Sequence, residues 1–222
     1  MNFMKKQAAY FISCILDFLF PQSCLVCAKY LNDEIYICRK CLNNLEIHKN
    51  ESKNYMSVFS YNDTIKTLIH ELKYNGRPEL GYIFGKEMGK RLKEYFESGK
   101  TVLIPVPLHI KRLKKRGYNQ SELICSGLSE VTGLEVRKDI LVRKLNNMSQ
   151  TRLNAAGRSE NVKGIFDYSG AQLDKDTLII LVDDLITTGA TSKEASQTLK
   201  KYGFINFFAV SVATSSNQSI MQ

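Results

Sequence analysis

Two constellations in this sequence have residue types and spacings suited to chemistry. Cys24-x-x-Cys27 and Cys38-x-x-Cys41 are separated by ten residues. Each pair offers two thiolates from one turn, and four thiolates complete the tetrahedral shell of a zinc ion. That shell leaves no open coordination position, so the pattern predicts a structural metal and not a catalytic one. A redox role for one pair is the alternative, and the doubling argues against it. Between the pairs, Asn32-Asp33 is a turn signal and 34–37 a short strand-like run, as in a zinc ribbon with two knuckles. The second constellation is Asp183-Asp184, followed by Thr187, Thr188, Gly189, Ala190 and Thr191. Amides and hydroxyls of such a loop can cradle an anion, and Gly189 permits close backbone approach. The adjacent carboxylates would repel that anion unless they face sugar hydroxyls or a bound cation. A solvated acidic turn is the bland alternative.

The elements that must hold the acid pair are legible on both sides of it. Residues 177–182 are β-branched or aliphatic and uncharged, which fits a strand buried on both faces of a parallel sheet. A helical pattern runs from Ser192 to Lys201. Strand, acids, loop and helix N-terminus together make an anion site at the carboxyl edge of an open sheet. Further strands are expected at 55–61, 101–104, 140–142, 164–166 and 206–213. Helices are expected at 65–74, at 79 to about 97, and from the run Gly117-Tyr118-Asn119-Gln120 on to about 131. After the strand at 101–104, Pro105, Val106, Pro107 and Leu108 form a stiff loop. Lys111, Arg112, Lys114, Lys115 and Arg116 then put five cations in six residues, ahead of Gly117-Tyr118-Asn119-Gln120. This cluster suits a pyrophosphate site through charge-assisted contacts, a nucleic-acid patch, or a solvated face. Lys73 and Arg77 flank a turn, either as solvated charges or as substrate contacts.

The 222 residues allow one sizeable α/β domain with a small appendage. The net charge of +9 favours polyanionic partners: nucleic acid, acidic lipid or a phosphorylated substrate. The expected division is an N-terminal amphipathic helix over 1–20, ribbon and linker over 21–54, and the α/β domain over 55–222. Met4, Ala8, Phe11, Ile12, Ile15, Leu16 and Leu19 recur at helical spacing before Pro21. An apolar face docked on the protein is the plainer account; peripheral attachment to a membrane or a partner is the sharper one. No apolar stretch has transmembrane length, and Asp17 with no cleavage site argues against a signal peptide, so a cytoplasmic protein is expected. Cys14 and Cys125 lie in apolar helical contexts and read as core residues. The polar segment 143–162 reads as a hood over the site, and 215–222 as a frayed tail.

The run over 177–191 resembles the signature of type I phosphoribosyltransferases. The resemblance implies that Asp183 and Asp184 hold the ribose hydroxyls of phosphoribosyl pyrophosphate, and that Thr187, Thr188, Gly189, Ala190 and Thr191 hold its 5′-phosphate. Adding the four cysteines, Leu72-Lys73-Tyr74-x-Gly76, Val106-Pro107-Leu108 with Arg112 and Arg116, Gly117-Tyr118-Asn119-Gln120, and Asn161-Val162-Lys163-Gly164-x-Phe166, the chain resembles the ComF/ComFC family over nearly its whole length. That resemblance implies a type I phosphoribosyltransferase-like open parallel sheet flanked by helices, with an N-terminal four-cysteine zinc ribbon. It also implies Val106, Pro107, Leu108, Arg112 and Arg116 as a pyrophosphate loop, and magnesium with the substrate. A role in natural transformation follows from it, with single-stranded DNA and a ComF-type helicase as partners; Lys111, Arg112, Lys114 and Lys115 are candidates for the nucleic acid. A housekeeping phosphoribosyltransferase of nucleotide salvage is the other reading. Compared with the amidophosphoribosyltransferase that such proteins resemble, this sequence lacks an N-terminal nucleophilic cysteine, so ammonia transfer from glutamine is not expected.

Overall fold

The computed structural model describes residues 22–32, 35–48, 54–96, 99–144 and 164–215. The segment 1–20 with Cys14, most of the segment expected to form a hood, and the tail from 216 lie outside the described residues. The chain divides into two compact units, Met1–Leu45 and Glu46–Gln222.

In the first unit, Ser23 and Tyr30 form an antiparallel bridge, and Cys38 caps a short helix α1 (Arg39–Asn43). The strand-like run expected over 34–37 is not a strand in its described part. Residues 35–37 are bent, and Tyr36 takes a left-handed φ of 65°. The bend has a cause: the chain must return Cys38 beside Cys24. Leu25 N–H donates to the Tyr36 carbonyl at 2.8 Å, and Cys38 N–H to Cys24 Sγ at 3.4 Å.

The second unit is an open parallel sheet flanked by helices. Its strands are β1 (Tyr55–Ser60), β2 (Thr101–Pro105), β3 (Glu135–Val136), β6 (Leu178–Ile186) and β7 (Phe207–Thr214), in spatial order β1-β7-β6-β2-β3. Part of the polar stretch before β1 is also paired, since Ile47 bridges Phe59 and Ser60 N–H donates to the Glu46 carbonyl. The strand at 140–142 does not join this sheet. As β4 (Leu141–Arg143) it pairs antiparallel with β5 (Phe166–Tyr168) in a separate two-stranded sheet.

Helices α2 (Asp63–Tyr74), α3 (Glu79–Leu92), α4 (Ile110–Arg116), α5 (Gln120–Thr132) and α6 (Ala190–Lys200) connect the strands. The helix expected after Gly117-Tyr118-Asn119-Gln120 is α5, and the basic cluster ahead of it forms a helix of its own. Gly117 ends α4 in the left-handed region at φ 85°, and the Asn119 side chain caps α5 by accepting from Ser121 N–H. α3 and α5 approach closely at glycines: a Cβ on Gly127 would lie 2.1 Å from the Tyr82 carbonyl oxygen. One face of the sheet packs Val102, Ile104, Ile179 and Leu181 against Ala195 and Leu199 of α6, with β4 and β5. α5 packs against β2 and β6.

β2 leads through α5 to β3 on one side of the sheet, whereas β6 leads through α6 to β7 on the other. The strand order therefore reverses between β2 and β6, and the carboxyl ends of these two strands flank a crevice of the kind where open α/β sheets bind ligands. Among the described residues, no helix is long and apolar enough to cross a membrane.

Candidate anion-binding site

A cavity of about 650 Å³ opens at this reversal point. Asp183, Asp184 and Leu185 of β6 line one side, and Val106, Pro107 and Leu108, directly after β2, line another. Contrary to the expected strand end at Val182, β6 carries on through both acids, with Asp183 opposite Ser211 and Ile186 opposite Thr214. The parallel neighbour β7 prolongs the ladder that the charges had been expected to end.

Successive strand residues point to opposite faces, and the two carboxylates find different partners. Asp184 is 3% exposed, and Lys73 Nζ lies 2.8 Å from its Oδ1. Its Oδ2 is buried without a hydrogen-bond partner among the described residues. Asp183 Oδ1 accepts from Asp184 N–H at 2.8 Å and from the Ser121 hydroxyl at 3.3 Å. Burial, then the neighbouring Asp184 charge, push the Asp183 carboxyl up to about 7, against the pull of Lys73, the Asp184 amide and Ser121.

After β6 the chain bends through Thr187, Thr188 and Gly189 into α6. Gly189 takes φ 69° at the start of this helix, a conformation that favours glycine. Thr188 Oγ1 accepts from Ala190 N–H at 3.4 Å, and Thr191 lines the cavity. The opening amides of a helix lack intrahelical acceptors and carry the positive end of its dipole.

The basic cluster is the helix α4 and not a loop. Arg112, Lys115 and Arg116, at spacings of three and four, share the face that lines the cavity. Lys111 and Lys114 turn away from it and are exposed. His109 Nδ1 caps α4 by accepting from Lys111 N–H. Burial and the charges of Arg143, Lys111 and Arg112 lower its pKa, which keeps the imidazole neutral and able to accept.

Arg143, at the end of β4, also lines the cavity. Burial and the Arg112 charge lower the pKa of its guanidinium, and Asp183 opposes them. No spacing in the sequence marked this residue. Nor did the sequence assign jobs within the run after Gly117. There the Tyr118 hydroxyl donates to the Leu72 carbonyl, and Asn119 Nδ2 donates to the Val106 carbonyl at 3.1 Å. Gln120 Oε1 accepts from Arg116, and Ser121 meets Asp183. Four consecutive residues thus tie the end of α2, the loop after β2, α4 and the acid pair together. A second cavity, about 320 Å³ beside α6 and β7, contains none of these groups.

In the first unit, the Sγ atoms of Cys24, Cys27, Cys38 and Cys41 lie within 4.8 Å of one another, and those of Cys27 and Cys38 are 3.8 Å apart. A tetrahedron with metal–sulfur bonds of about 2.3 Å has edges of about 3.8 Å. The donors fit zinc in type, number and separation. Cys125 is fully buried in α5, as expected of a core residue.

The molecule is thus a four-cysteine zinc-site protein with an open parallel sheet and an acid-and-base-lined cavity at its carboxyl edge. A double zinc ribbon domain matches residues 15–52. DNA utilization protein YhgH of Salmonella typhi is 27% identical over 81% of this chain and 85% of its own length. Competence protein ComFC of Bacillus subtilis is 29% identical over 75% of this chain and 67% of its own. Competence protein F of Haemophilus influenzae is 36% identical over 46% and 44%. These relatives and the ribbon together support assignment of the chain to the ComF/ComFC family. Among solved structures, glutamine phosphoribosylpyrophosphate amidotransferase from B. subtilis superposes with a TM-score of 0.41 at 19% identity, over 64% of this chain and 30% of its own. Adenine phosphoribosyltransferase from Saccharomyces cerevisiae gives 0.40 at 18% identity, over 62% and 69%.

Proposed function

We propose that the chain binds phosphoribosyl pyrophosphate in the cavity above β2 and β6, binds single-stranded DNA on its basic surface, and acts in DNA uptake during natural transformation. The observation that carries the ligand reading is one cavity lined by an acid pair, the first turn of a helix and three basic residues of α4. The names of the relatives, DNA utilization protein and competence protein, support the DNA role. A cytoplasmic location, a ComF-type helicase as partner and peripheral membrane attachment through 1–20 belong to the same proposal.

In this reading Asp183 and Asp184 accept hydrogen bonds from the ribose hydroxyls. The bend from Thr187 to Thr191 and the start of α6 take the 5′-phosphate. Val106, Pro107 and Leu108, with Arg112 and Arg116, take the pyrophosphate. The acid pair fits a hard cation, because the buried Asp184 Oδ2 is an oxygen donor with no hydrogen-bond partner among the described residues. Asp183 and Asp184 would hold magnesium, which when bound neutralises charge on the departing pyrophosphate. The reaction open to such a site is displacement at ribose C1: the C1–O bond to pyrophosphate breaks as a bond to a nucleophile forms. Arg112 and Arg116 would stabilise the charge gathering on the leaving group, and the carboxylates the positive charge developing on the ribose.

Calorimetry with phosphoribosyl pyrophosphate and magnesium tests the ligand. Replacing both acids, Asp183→Asn with Asp184→Asn, should weaken binding by roughly 2–4 kcal/mol while leaving inorganic phosphate unaffected. Wild-type affinity in the double variant would end the ribose assignment. Single-strand binding should weaken steeply with salt. Its absence beside intact ligand binding would favour nucleotide salvage.

A further inference from the structure

Helix α2 carries an aromatic stripe that the ligand reading leaves unused. Lys66, His70 and Tyr74 follow one another at intervals of four residues. They therefore share one face of the helix and span about 12 Å along its axis. All three are exposed, Tyr74 to 66%. The His70 and Tyr74 rings are tilted by 45°, with centroids 4.9 Å apart. The Tyr74 end of the stripe reaches the cavity, whose wall includes Tyr74. There the Arg116 guanidinium, at the end of α4, sits 5.8 Å from the Tyr74 ring centroid, within cation–π range. Arg116 is itself fixed by donating to Gln120. The Tyr74 ring thus has a support on two sides and still meets solvent over most of its surface.

Cations flank the stripe at both ends. Lys66 is exposed at one end, Lys115 and Arg116 line the cavity at the other, and Lys111 and Lys114 are exposed on α4. The acids of α2 do not offset them. Glu71 is engaged by Arg77 Nε at 3.1 Å and by Asn75 Nδ2 at 2.8 Å. Asp63 lies eleven residues before Tyr74, about three turns away. Exposed rings interleaved with cations suit a ligand that offers flat faces and phosphates together. Duplex bases are stacked on one another, so an unpaired strand is the form that offers its faces. We propose that this stripe is a base-stacking track for single-stranded DNA. Tyr74 and His70 take unpaired bases, Lys66 and the exposed lysines of α4 take flanking phosphates, and the strand runs past the mouth of the cavity. The inference rests on the single-strand reading above and gives it a surface.

The test uses the full chain and three probes: a labelled oligothymidylate, an abasic strand of the same length, and free thymidine. Wild type should prefer the oligothymidylate over the abasic strand by about tenfold or more, the order of one stacked base. Tyr74→Ala should remove most of that preference while weakening the abasic strand by less than about twofold. No phosphate contact is lost, so the slope of log affinity against log salt should keep its wild-type value. Tyr74→Trp should retain the preference, which separates lost stacking from a disturbed fold. Equal binding of both strands by wild type, or equal loss of both in Tyr74→Ala, overturns the track and leaves the single-strand reading standing. Free thymidine bound by wild type and lost in Tyr74→Ala, with the strands unaffected, would assign the ring to a free nucleoside and also overturn the track. A wild type that binds neither strand overturns the single-strand reading as well.

Discussion

Asp183 couples stability and binding in opposite directions. An unperturbed aspartate gives up its proton at 3.8, whereas burial beside Asp184 raises this one to about 7. Between those values the folded chain holds a proton that the unfolded chain has lost. The contribution of Asp183 to stability is therefore fully present below the unfolded value and disappears as pH rises through about 7. Ribose recognition needs the carboxylate as an acceptor, so affinity should rise over the interval in which stability falls. From pH 6 to pH 8, the ligand-free melting temperature should drop while phosphoribosyl pyrophosphate binds more tightly. Asp183→Asn should flatten both trends. Melting curves and calorimetry at the two pH values check this, and tightening that persists undiminished in the variant would move its cause to the ligand's own phosphates. At this scale the sequence showed the acids but not their inequality. Adjacent aspartates look alike in a string, and what separates them is Lys73 and Ser121, brought from residues more than sixty positions away.

Among the elements, the two-residue β3 carries no continuous apolar run and was not expected. The other four strands of the sheet were legible because continuous apolar runs such as 101–104 and 177–182 have few other uses in a small α/β chain. Boundaries were less so where tertiary pairing decides them, as with β6, which β7 carries past its charges. The basic cluster shows a different limit. Five cations in six residues look like one patch, but on a helix they are dealt to two sides. Arg112, Lys115 and Arg116 line the cavity, and Lys111 and Lys114 are exposed away from it. The two proposed anions should therefore be separable by mutation. Lys111→Ala with Lys114→Ala should leave phosphoribosyl pyrophosphate binding intact and weaken single-stranded DNA. The slope of log affinity against log salt should fall by about 1.4 if both contact phosphates. Arg112→Ala with Arg116→Ala should instead weaken the small ligand by roughly 2 kcal/mol or more. Salt titrations on labelled single strands, beside calorimetry, check the separation. Equal loss of both ligands in both variants would mean a single shared surface.

For the whole molecule, strand order was beyond the sequence. Nothing in 55–60 says that β1 lies beside β7; the meeting of Ser57 and Ser211 hydroxyls at 2.8 Å in the buried interior is visible only after folding. The boundary between the two units falls at Leu45 and Glu46, inside the span expected to be ribbon and linker, and four cysteines at ribbon spacing announce a module with little core of its own. Its buried apolar side chains among the described residues are Leu31, Ile37 and Leu45, besides Cys24 and Cys38. So little apolar burial leaves metal binding to supply the folding free energy. The sheet unit has its own closed core across β2, β6, β7 and α6. Protein purified without chelator should carry one zinc per chain by elemental analysis. Chelation under reducing conditions should then abolish hydrogen-exchange protection in Met1–Leu45 while the amides of β6 stay protected. Cys38→Ser should mimic chelation, because it removes one thiolate and leaves the ion three donors. Zinc-free protein with the first unit still protected would overturn the metal assignment, and loss of β6 protection on chelation would show that the sheet unit depends on the ribbon.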